Sequence, residues 1–373
     1  MNQARPIQAS QIAKAQGGRR STLPHSIAIV TDAWHPQTNG VVRTLATTCE
    51  ILRSWGHEVT VISPQDYRSF PAPTYPEIRL ALTWPGAVGR QLAKIRPDAV
   101  HIATEGPLGF AARRYCCNRR VPFTTAYHTQ FPDYLARRTG LSANVFWPYI
   151  RWFHRPAQRV MVATETIRKQ LRAQGLNRLN HWSRGVDLAC FSASAPAPVE
   201  YQGLKGPILL YVGRVAVEKN IEAFLSCSHP GAKVVVGDGP ARAALETKFP
   251  EALFLGKRTG LDLAGCYAGA DVFVFPSKTD TFGLVMIEAL ACGTPVAAYP
   301  VPGPIDILTD DVGSMSENLD HAIEAALRCQ REACARHGAS YSWEGATRQF
   351  IHGLVALEEE ECVSLQAAPV LEF

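Results

Sequence analysis

The most informative stretch of this 373-residue chain is PSKTDTFGLVMIEALACGTPV, at residues 276–296. The apolar run DVFVFP, which ends at Pro276, predicts a buried strand. Polar residues then interrupt the run, and apolar residues recur at helical spacing from about Phe282. Gly293 stands where a left-handed residue would end that helix, and Pro295 prevents its continuation. The stretch therefore predicts a strand, a loop and a short helix.

Two carboxylates flank the start of this helix, Asp280 in the loop and Glu288 on the helix itself. The first turn of a helix presents unbonded N–H groups and the positive end of the helix dipole, which suit phosphate oxygens. Carboxylates accept hydrogen bonds from hydroxyl groups. The arrangement favours a ligand that carries both sugar and phosphate. The alternative is that Asp280 and Thr281 only cap the helix and Glu288 lies on a solvated face.

The stretch also resembles the signature of the family-four retaining glycosyltransferases, in which two acidic residues contact the donor nucleotide-sugar. The positions in register are Pro276, Ser277, Phe282, Gly283, Glu288, Ala289, Ala291, Gly293, Pro295 and Val296. Asp280 departs from the commonest pattern, which has Glu there, and its side chain is one methylene shorter. The TDTFG form resembles a branch that contains mannosyl- and sulfoquinovosyltransferases.

Composition and charge narrow the class of protein. With 46% apolar and 19% charged residues, the chain is long enough for two globular domains. The formal charge is +5, and four of its cations belong to residues 1–24, which we expect to be a disordered basic tail. The folded part is then nearly neutral, which argues against a nucleic-acid binder. The four cations are Arg5, Lys14, Arg19 and Arg20.

No apolar run is long enough for a membrane span or a signal peptide, so we expect a cytoplasmic protein. The basic tail is compatible with peripheral contact at the inner face of an anionic plasma membrane. The 10 cysteines are scattered without a C-x-x-C pair, which argues against a zinc framework or a redox pair. Residues 361–373 are expected to form a tail.

Strand and helix patterns alternate over residues 25–195 and predict a first Rossmann-like domain with a parallel sheet. Asn39 and Gly40 lie where the first loop turns into a helix, and the resemblance places them near the donor phosphates; a plain Asn-Gly turn is the alternative. His128 closes a strand and should face the cleft. The resemblance gives it a role beside the donor sugar, although a lone histidine is often structural. Glu105 and Gly106 are the candidates for acceptor contact.

Residues 136–159 combine arginines with five aromatic side chains. One interpretation is a surface that meets lipid headgroups, with aromatic rings at the interface and cations on phosphates. The other is a helix packed into the first domain with arginines at its rim, because two prolines interrupt the pattern.

A second Rossmann-like domain is predicted over residues 196–343, after a segment of linker composition. Arg214 follows Gly213 at the end of a strand, and Lys219 lies at the next helix entry, so both cations could converge on one anion. This pattern resembles the family's diphosphate clamp. Gly239 belongs to a GDGP turn that the family shares; Arg242 excludes a dinucleotide fingerprint there. Lys257 is a candidate for the base pocket.

One helix is expected from Leu319 to about Arg336, and residues 344–360 are expected to form a helix that packs back on the first domain.

Taken together, the resemblance implies the GT-B architecture, an α/β fold of two doubly wound parallel-sheet domains that face each other across a cleft. It implies that Arg214 and Lys219 neutralise the departing diphosphate, that Glu288 takes the ribose hydroxyls and that Asp280 takes the sugar hydroxyls. A metal ion and other cofactors are then not required. The catalytic candidates are His128, Arg214, Lys219 and Asp280. The donor-binding candidates are Asn39, Gly40, Gly213, Arg214, Lys219, Gly239, Lys257, Asp280, Thr281, Phe282, Gly283, Leu284 and Glu288.

The function expected from this resemblance is a retaining, metal-independent α-mannosyltransferase that uses GDP-mannose and a lipid-linked or glycolipid acceptor. A UDP-sugar donor, such as UDP-glucose or UDP-sulfoquinovose, is the alternative within the same class. A nucleotide-sugar epimerase could use the same two-sheet cleft without an acceptor. A non-catalytic nucleotide-sugar sensor is a third alternative, and the complete set of charged residues argues against it.

Overall fold

The structure is a computed structural model that describes residues 23–37, 39–72, 75–132, 136 and 140–366. Most of the expected basic tail at residues 1–24 lies outside the described residues. The same is true of residues 367–373. No helix within the described residues is both long and apolar enough to cross a bilayer.

The first domain is a six-stranded parallel sheet in the order β2-β1-β5-β6-β7-β8, with a β3–β4 hairpin beside it. Its strands are β1 (Ser26–Val30), β2 (Glu58–Ile62), β3 (Ser69–Ala72), β4 (Tyr75–Ala81), β5 (Ala99–Ile102), β6 (Thr124–Tyr127), β7 (Arg159–Val162) and β8 (Leu179–His181). Its described helices are α1 (Gly40–Ser54), α2 (Pro85–Ile95), α3 (Pro107–Arg119), α4 (Trp147–His154) and α5 (Glu165–Ala173).

The second domain repeats this design, with six parallel strands in the order β11-β10-β9-β12-β13-β14. Its strands are β9 (Ile208–Val212), β10 (Ala232–Val236), β11 (Leu253–Gly256), β12 (Val272–Phe275), β13 (Val296–Ala298) and β14 (Gly313–Met315). Its helices are α6 (Ile221–Leu225), α7 (Arg242–Lys248), α8 (Gly260–Ala268), α9 (Leu284–Ala291), α10 (Pro304–Ile307), α11 (Leu319–Ala326) and α12 (Arg331–Ala339). The expected two-domain α/β architecture is confirmed.

Each sheet has one point where the strand order reverses. In the first domain it lies between β1 and β5, and in the second between β9 and β12. Loops that leave the carboxyl ends of such neighbouring strands diverge and leave a crevice, which is where open α/β sheets bind ligands. In the second domain this topology brings the loop after β9, with Arg214 and Lys219, beside the loop after β12, with Asp280.

The expected division at residues 195 and 196 follows a segment that packs against the second domain. Phe191 is 4% exposed and belongs to the hydrophobic core of the second domain, together with Val186. The Phe191 ring packs edge-to-face on Tyr267 of α8. The segment of linker composition that follows also packs against the second domain, because its Tyr201 side chain is buried in the same core.

Two helices follow the second domain and return to the first. The helix α13 (Trp343–Gly353) packs on α1, β7 and β8, and its Phe350 is fully buried. The helix α14 (Glu359–Gln366) packs on α2 and α3. There Leu365 is 1% exposed and its carbonyl accepts a hydrogen bond from the Tyr115 hydroxyl. The expected tail from residue 361 is therefore wrong up to Gln366, since the buried Leu365 anchors this helix on the first domain.

The single helix expected from Leu319 to Arg336 is two helices, α11 and α12. Residues 327–330 turn the chain so that α12 packs on α9. The approach is close, because a Cβ on Gly338 would lie 2.2 Å from the Ala291 nitrogen. Cys334 on the same helix is fully buried.

The aromatic and basic stretch at residues 136–159 forms α4 in its described part. Four of its side chains are buried, namely Trp147, Ile150, Phe153 and His154. Trp152 is 42% exposed and packs on Phe110. These contacts favour a helix packed into the first domain over a surface devoted to lipid.

Candidate active site

The centre of the candidate site is an ion pair between Lys219 and Asp280. The Lys219 ammonium lies 2.7 and 2.9 Å from the two carboxylate oxygens. Their side chains are 26% and 25% exposed, so both remain accessible from the cleft. Burial alone would raise the pKa of Asp280, but the charge and hydrogen bonds of the adjacent Lys219, together with Ser277, outweigh it and lower that pKa. Asp280 is therefore a carboxylate held ionised beside a cation.

Arg214 enters this region from the loop after β9, where its carbonyl accepts a hydrogen bond from the Tyr211 hydroxyl at 2.9 Å. The side chain of Arg214 is half-buried. Its loop also pairs with the GDGP turn, since the Val215 nitrogen donates to the Asp238 carbonyl at 2.9 Å. A Cβ on Gly239 would lie 2.4 Å from the Val215 carbonyl oxygen, so only glycine permits this approach.

The loop between β12 and α9 is held against the first domain. The Thr281 hydroxyl donates to the His128 carbonyl at 2.6 Å, and the Gln130 amide donates to the Asp280 carbonyl at 3.3 Å. Gly283 has φ 89° and precedes α9, whose first turn has no side-chain cap. Neither Asp280 nor Thr281 caps this helix, so that alternative is wrong.

Two further candidates at this helix, Phe282 and Leu284, are apolar. Phe282 is 6% exposed and packs edge-to-face on Tyr341. Leu284 packs against the hydrophobic cores of both domains. A Cβ on Gly40 would lie 3.6 Å from its Cδ1 atom, so the start of α1 faces the start of α9. Asn39 caps α1, with its side-chain oxygen accepting from the nitrogens of Val41 and Val42.

Glu288, the second carboxylate of the pair, is 2% exposed and does not lie on a solvated face. It forms an ion pair with Arg43 of α1 in the other domain, and its second oxygen accepts a hydrogen bond from the Tyr267 hydroxyl at 3.0 Å. Arg43 also lies over the Phe191 ring, 5.5 Å from its centroid. Burial outweighs these partners and raises the pKa of Glu288.

His128 follows β6 and is 9% exposed. Its Nδ1 atom lies 3.0 Å from a terminal nitrogen of Arg184, and its ring packs edge-to-face on Trp182. Burial, with the charges of Arg184 and His101 adding to it, lowers the pKa of His128 well below its usual value. His128 is therefore neutral and lies beside the Thr281 loop of the second domain.

Three further candidates lie on other elements of the fold. One carboxylate oxygen of Glu105 lies 3.2 Å from His154 Nε2, inside the first domain. A Cβ on Gly106 would lie 2.4 Å from the Asp32 carboxyl carbon, so a side chain at this position would clash with Asp32. Lys257 is exposed on the loop after β11. For these three residues, a role in binding stays a prediction.

Sequence reasoning missed three side chains that shape the site, namely Arg43, Arg184 and Tyr267. Arg43 lies in the VVRTL segment and Arg184 in the HWSRGVD segment, both of which resemble the family pattern as segments. Arg43 lies one helical turn after Gly40, on the same face of α1, and this spacing is the signal that could have found it. Tyr267 lies in an apolar helix and carries no comparable signal.

Known protein families match both domains of this chain. The model of the Glycosyltransferase Family 4 domain matches residues 38–189, and that of the group 1 glycosyl transferases matches residues 206–331. A GDP-mannose-dependent alpha-mannosyltransferase of Mycobacterium tuberculosis is 34% identical over 306 residues, covering 76% of this chain and 81% of the relative. A sulfoquinovosyl transferase of Arabidopsis thaliana is 33% identical over 344 residues, covering 85% and 66%.

Among solved structures, a sucrose-phosphate synthase from Thermosynechococcus elongatus superposes with a TM-score of 0.70 at 22% identity. The match covers 87% of this chain and 97% of that structure, and it shows the shared fold. The family models match both domains, and the mycobacterial relative is matched over most of its length. This chain therefore belongs to glycosyltransferase family 4 and is a glycosyltransferase.

Proposed function

We propose that this enzyme transfers mannose, with retention of configuration, from GDP-mannose to a lipid-linked or glycolipid acceptor. The observation that carries the proposal is the contact between Lys219 and Asp280, and Arg214 lies in the same loop as Lys219. In this contact a cation that suits a diphosphate lies next to a carboxylate that suits sugar hydroxyls. The similarity to a GDP-mannose-dependent mannosyltransferase supports the donor.

The chemical role of the cations follows from the leaving group. Breaking a glycosyl phosphate bond leaves a diphosphate with growing negative charge, which Arg214 and Lys219 would stabilise. The departing diphosphate oxygen would accept the proton of the attacking hydroxyl, on the same face of the sugar. Asp280, held ionised by Lys219, would bind the sugar hydroxyls and orient the reacting carbon.

The donor is tested by the nucleotide whose binding stabilises the enzyme. GDP is expected to raise the apparent melting temperature more than UDP or ADP at equal concentration, because ligand that binds the native state stabilises it by mass action. Incubation with each sugar nucleotide and a membrane lipid extract, followed by mass spectrometry, then identifies the product. A shift with UDP alone would contradict the GDP-mannose proposal and favour a UDP-sugar donor, as the similarity to the sulfoquinovosyl transferase suggests.

Incubation with donor alone separates the transferase from an epimerase. We expect slow release of free sugar, with water acting as a poor acceptor. An isomerised sugar nucleotide would instead support the epimerase.

We also propose that the reaction requires no metal ion, because Arg214 and Lys219 supply the positive charge that a divalent cation would otherwise supply. Turnover is expected to be unchanged after EDTA treatment and after later addition of magnesium or manganese. Loss of turnover in EDTA that magnesium restores would contradict this proposal.

We also propose that the enzyme contacts an anionic membrane through a groove between β4 and α2. The groove has a volume of about 570 Å³, and its lining includes Leu82, Trp84, Arg68, Arg90 and Lys94. Leu82 and Trp84 are each 58% exposed. Exposed apolar side chains flanked by cations suit the boundary between lipid headgroups and acyl chains.

Vesicle flotation tests this contact. The enzyme should float with phosphatidylglycerol vesicles at low salt, and the double variant Arg90→Glu, Lys94→Glu should not. The matched control, Lys205→Glu with Lys248→Glu, reverses the same amount of charge at exposed positions of the second domain. Equal flotation of both variants would contradict the assignment of the groove.

A further inference from the structure

Arg184 is a buried cation without a carboxylate partner in the described part of the chain. Its side chain is 6% exposed. One terminal nitrogen donates to the carbonyls of Trp182 and Ser183 at 2.7 and 3.0 Å, and the guanidinium lies over the Trp182 indole. The other terminal nitrogen lies 3.0 Å from His128 Nδ1. A buried charge costs free energy unless it is paired or bonded, so this arrangement calls for a functional explanation.

The contact between Arg184 and His128 determines which ring nitrogen carries the proton. A guanidinium only donates hydrogen bonds, so His128 Nδ1 must accept with its lone pair. The proton of the neutral ring is then on Nε2. Burial lowers the pKa of Arg184 to about 9, so the guanidinium remains charged at neutral pH.

The proton on Nε2 has no acceptor within the described residues, although this atom is buried. Buried donors are normally satisfied, so this one calls for a partner from outside the described residues, which a bound ligand would supply. The position of the ring agrees with this explanation. His128 follows β6, and its carbonyl accepts the Thr281 hydroxyl from the loop that holds Asp280.

We propose that Arg184 is a positioning residue that holds His128 as the Nε2-protonated tautomer, so that His128 donates a hydrogen bond to an oxygen of the donor sugar. The second half of this statement rests on the proposed function. It gives His128 a definite role, because a ring whose only lone pair is engaged by Arg184 cannot remove a proton from the acceptor. His128 then acts as a hydrogen-bond donor and not as a general base.

The tautomer is measured directly by nitrogen NMR of enzyme labelled in its histidines, without any substrate. The His128 signals are assigned by their loss in His128→Gln. The wild type should show the proton on Nε2 at neutral pH, and Arg184→Met should show a mixture of tautomers. Arg178→Met is the matched control, since it removes an exposed arginine just before β8, and should leave the His128 signals unchanged. A wild-type proton on Nδ1, or an unchanged tautomer in Arg184→Met, would overturn the proposal.

Kinetics test the second half. Arg184→Met should lower kcat by about 10-fold or more, with a smaller change in the KM for the donor, because the lost interaction orients the reacting sugar. Arg184→Lys keeps a charged donor and should recover part of both kcat and the wild-type tautomer. An equal loss in Arg184→Lys and Arg184→Met would contradict a positioning role.

The two measurements also separate this inference from the proposed function. An enzyme inactive with every sugar nucleotide, but with His128 protonated on Nε2, would refute the function and keep the tautomer. If Arg184→Met does not fold, the wild-type spectrum and the Arg184→Lys variant still test whether Arg184 holds His128 as the Nε2-protonated tautomer.

Discussion

Asp280 and Glu288 belong to one sequence motif, yet the structure gives them opposite surroundings. Asp280 is 25% exposed and contacts Lys219 of its own domain, and its pKa is lowered. Glu288 is 2% exposed and contacts Arg43 of the other domain, and its pKa is raised. Two carboxylates of the same sequence motif can therefore have different surroundings and different protonation behaviour.

The difference follows from where the two residues lie on the chain. Asp280 lies in a loop at the point where the strand order reverses, so its side chain opens into the crevice. Glu288 lies in the second turn of α9, a helix buried on most of its surface. Its carboxylate contacts Arg43 of α1 in the opposite domain and Tyr267 of its own domain. Asp280 is thus partly open to solvent, whereas Glu288 is buried in a contact that joins the two domains.

The largest expected effect comes from removing the cation beside Asp280. Lys219→Met should lower kcat/KM by about 100-fold or more, because the diphosphate loses a charge that stabilises it as it departs. The control is Lys248→Met, which removes an exposed lysine of the same domain that pairs with Glu222 and does not contact Asp280. It should leave kcat/KM unchanged. A loss of less than about threefold in Lys219→Met would remove Lys219 from the reaction.

The second prediction concerns stability and separates the two ion pairs by double-mutant cycles. Arg43→Met with Glu288→Gln should show a coupling of about 1–3 kcal/mol, because the Glu288 carboxylate is buried and loses its counter-charge. Lys219→Met with Asp280→Asn should show less than about 1 kcal/mol, because water screens that pair. Urea unfolding of the single and double variants measures both. Equal couplings would mean that the domains are not joined through Glu288.

The sequence predicted one of these environments and not the other. The strand, loop and helix at residues 276–296 follow from local apolar spacing, and the parallel sheets place Asp280 and the loop of Lys219 together. The Arg43 contact joins residues 245 positions apart across two domains, and the spacing that puts Arg43 on the same face as Gly40 does not identify Glu288 as its partner. The same limit applies to Arg184, whose burial depends on the packing of Trp182 and His128.

Local patterns also failed where tertiary contacts override them. The helix expected from Leu319 to Arg336 is periodic throughout in sequence, but the chain turns after α11 so that α12 can cover α9. Helix α14 has little amphipathic pattern and depends on the burial of Leu365. Distant packing decided both cases.

The third prediction uses pH. Folded Glu288 holds its proton more tightly than the unfolded chain, so the stability of the wild type relative to Glu288→Gln should fall as pH rises above 4.5. The slope is at most about 1.4 kcal/mol per pH unit. Folded Asp280 holds its proton less tightly, so the stability relative to Asp280→Asn should stay level above pH 3.8 and fall as pH drops below it. If both stability differences changed with pH in the same direction, the opposite pKa shifts of Glu288 and Asp280 would be contradicted.

The smallest expected effect comes from Asp280→Glu, which restores the residue of the commonest family pattern. The added methylene lies in a partly open crevice, and Lys219 has a flexible side chain that can follow the carboxylate. We expect less than about 0.5 kcal/mol change in the free energy of unfolding and less than about 10-fold change in kcat/KM. The converse change, Glu288→Asp, should cost more, because a shorter side chain in a closed site cannot keep both Arg43 and the Tyr267 hydroxyl. If Asp280→Glu proved the more damaging of the two, Asp280 would be the tightly constrained member of the pair, and its exposure would be no guide to its tolerance.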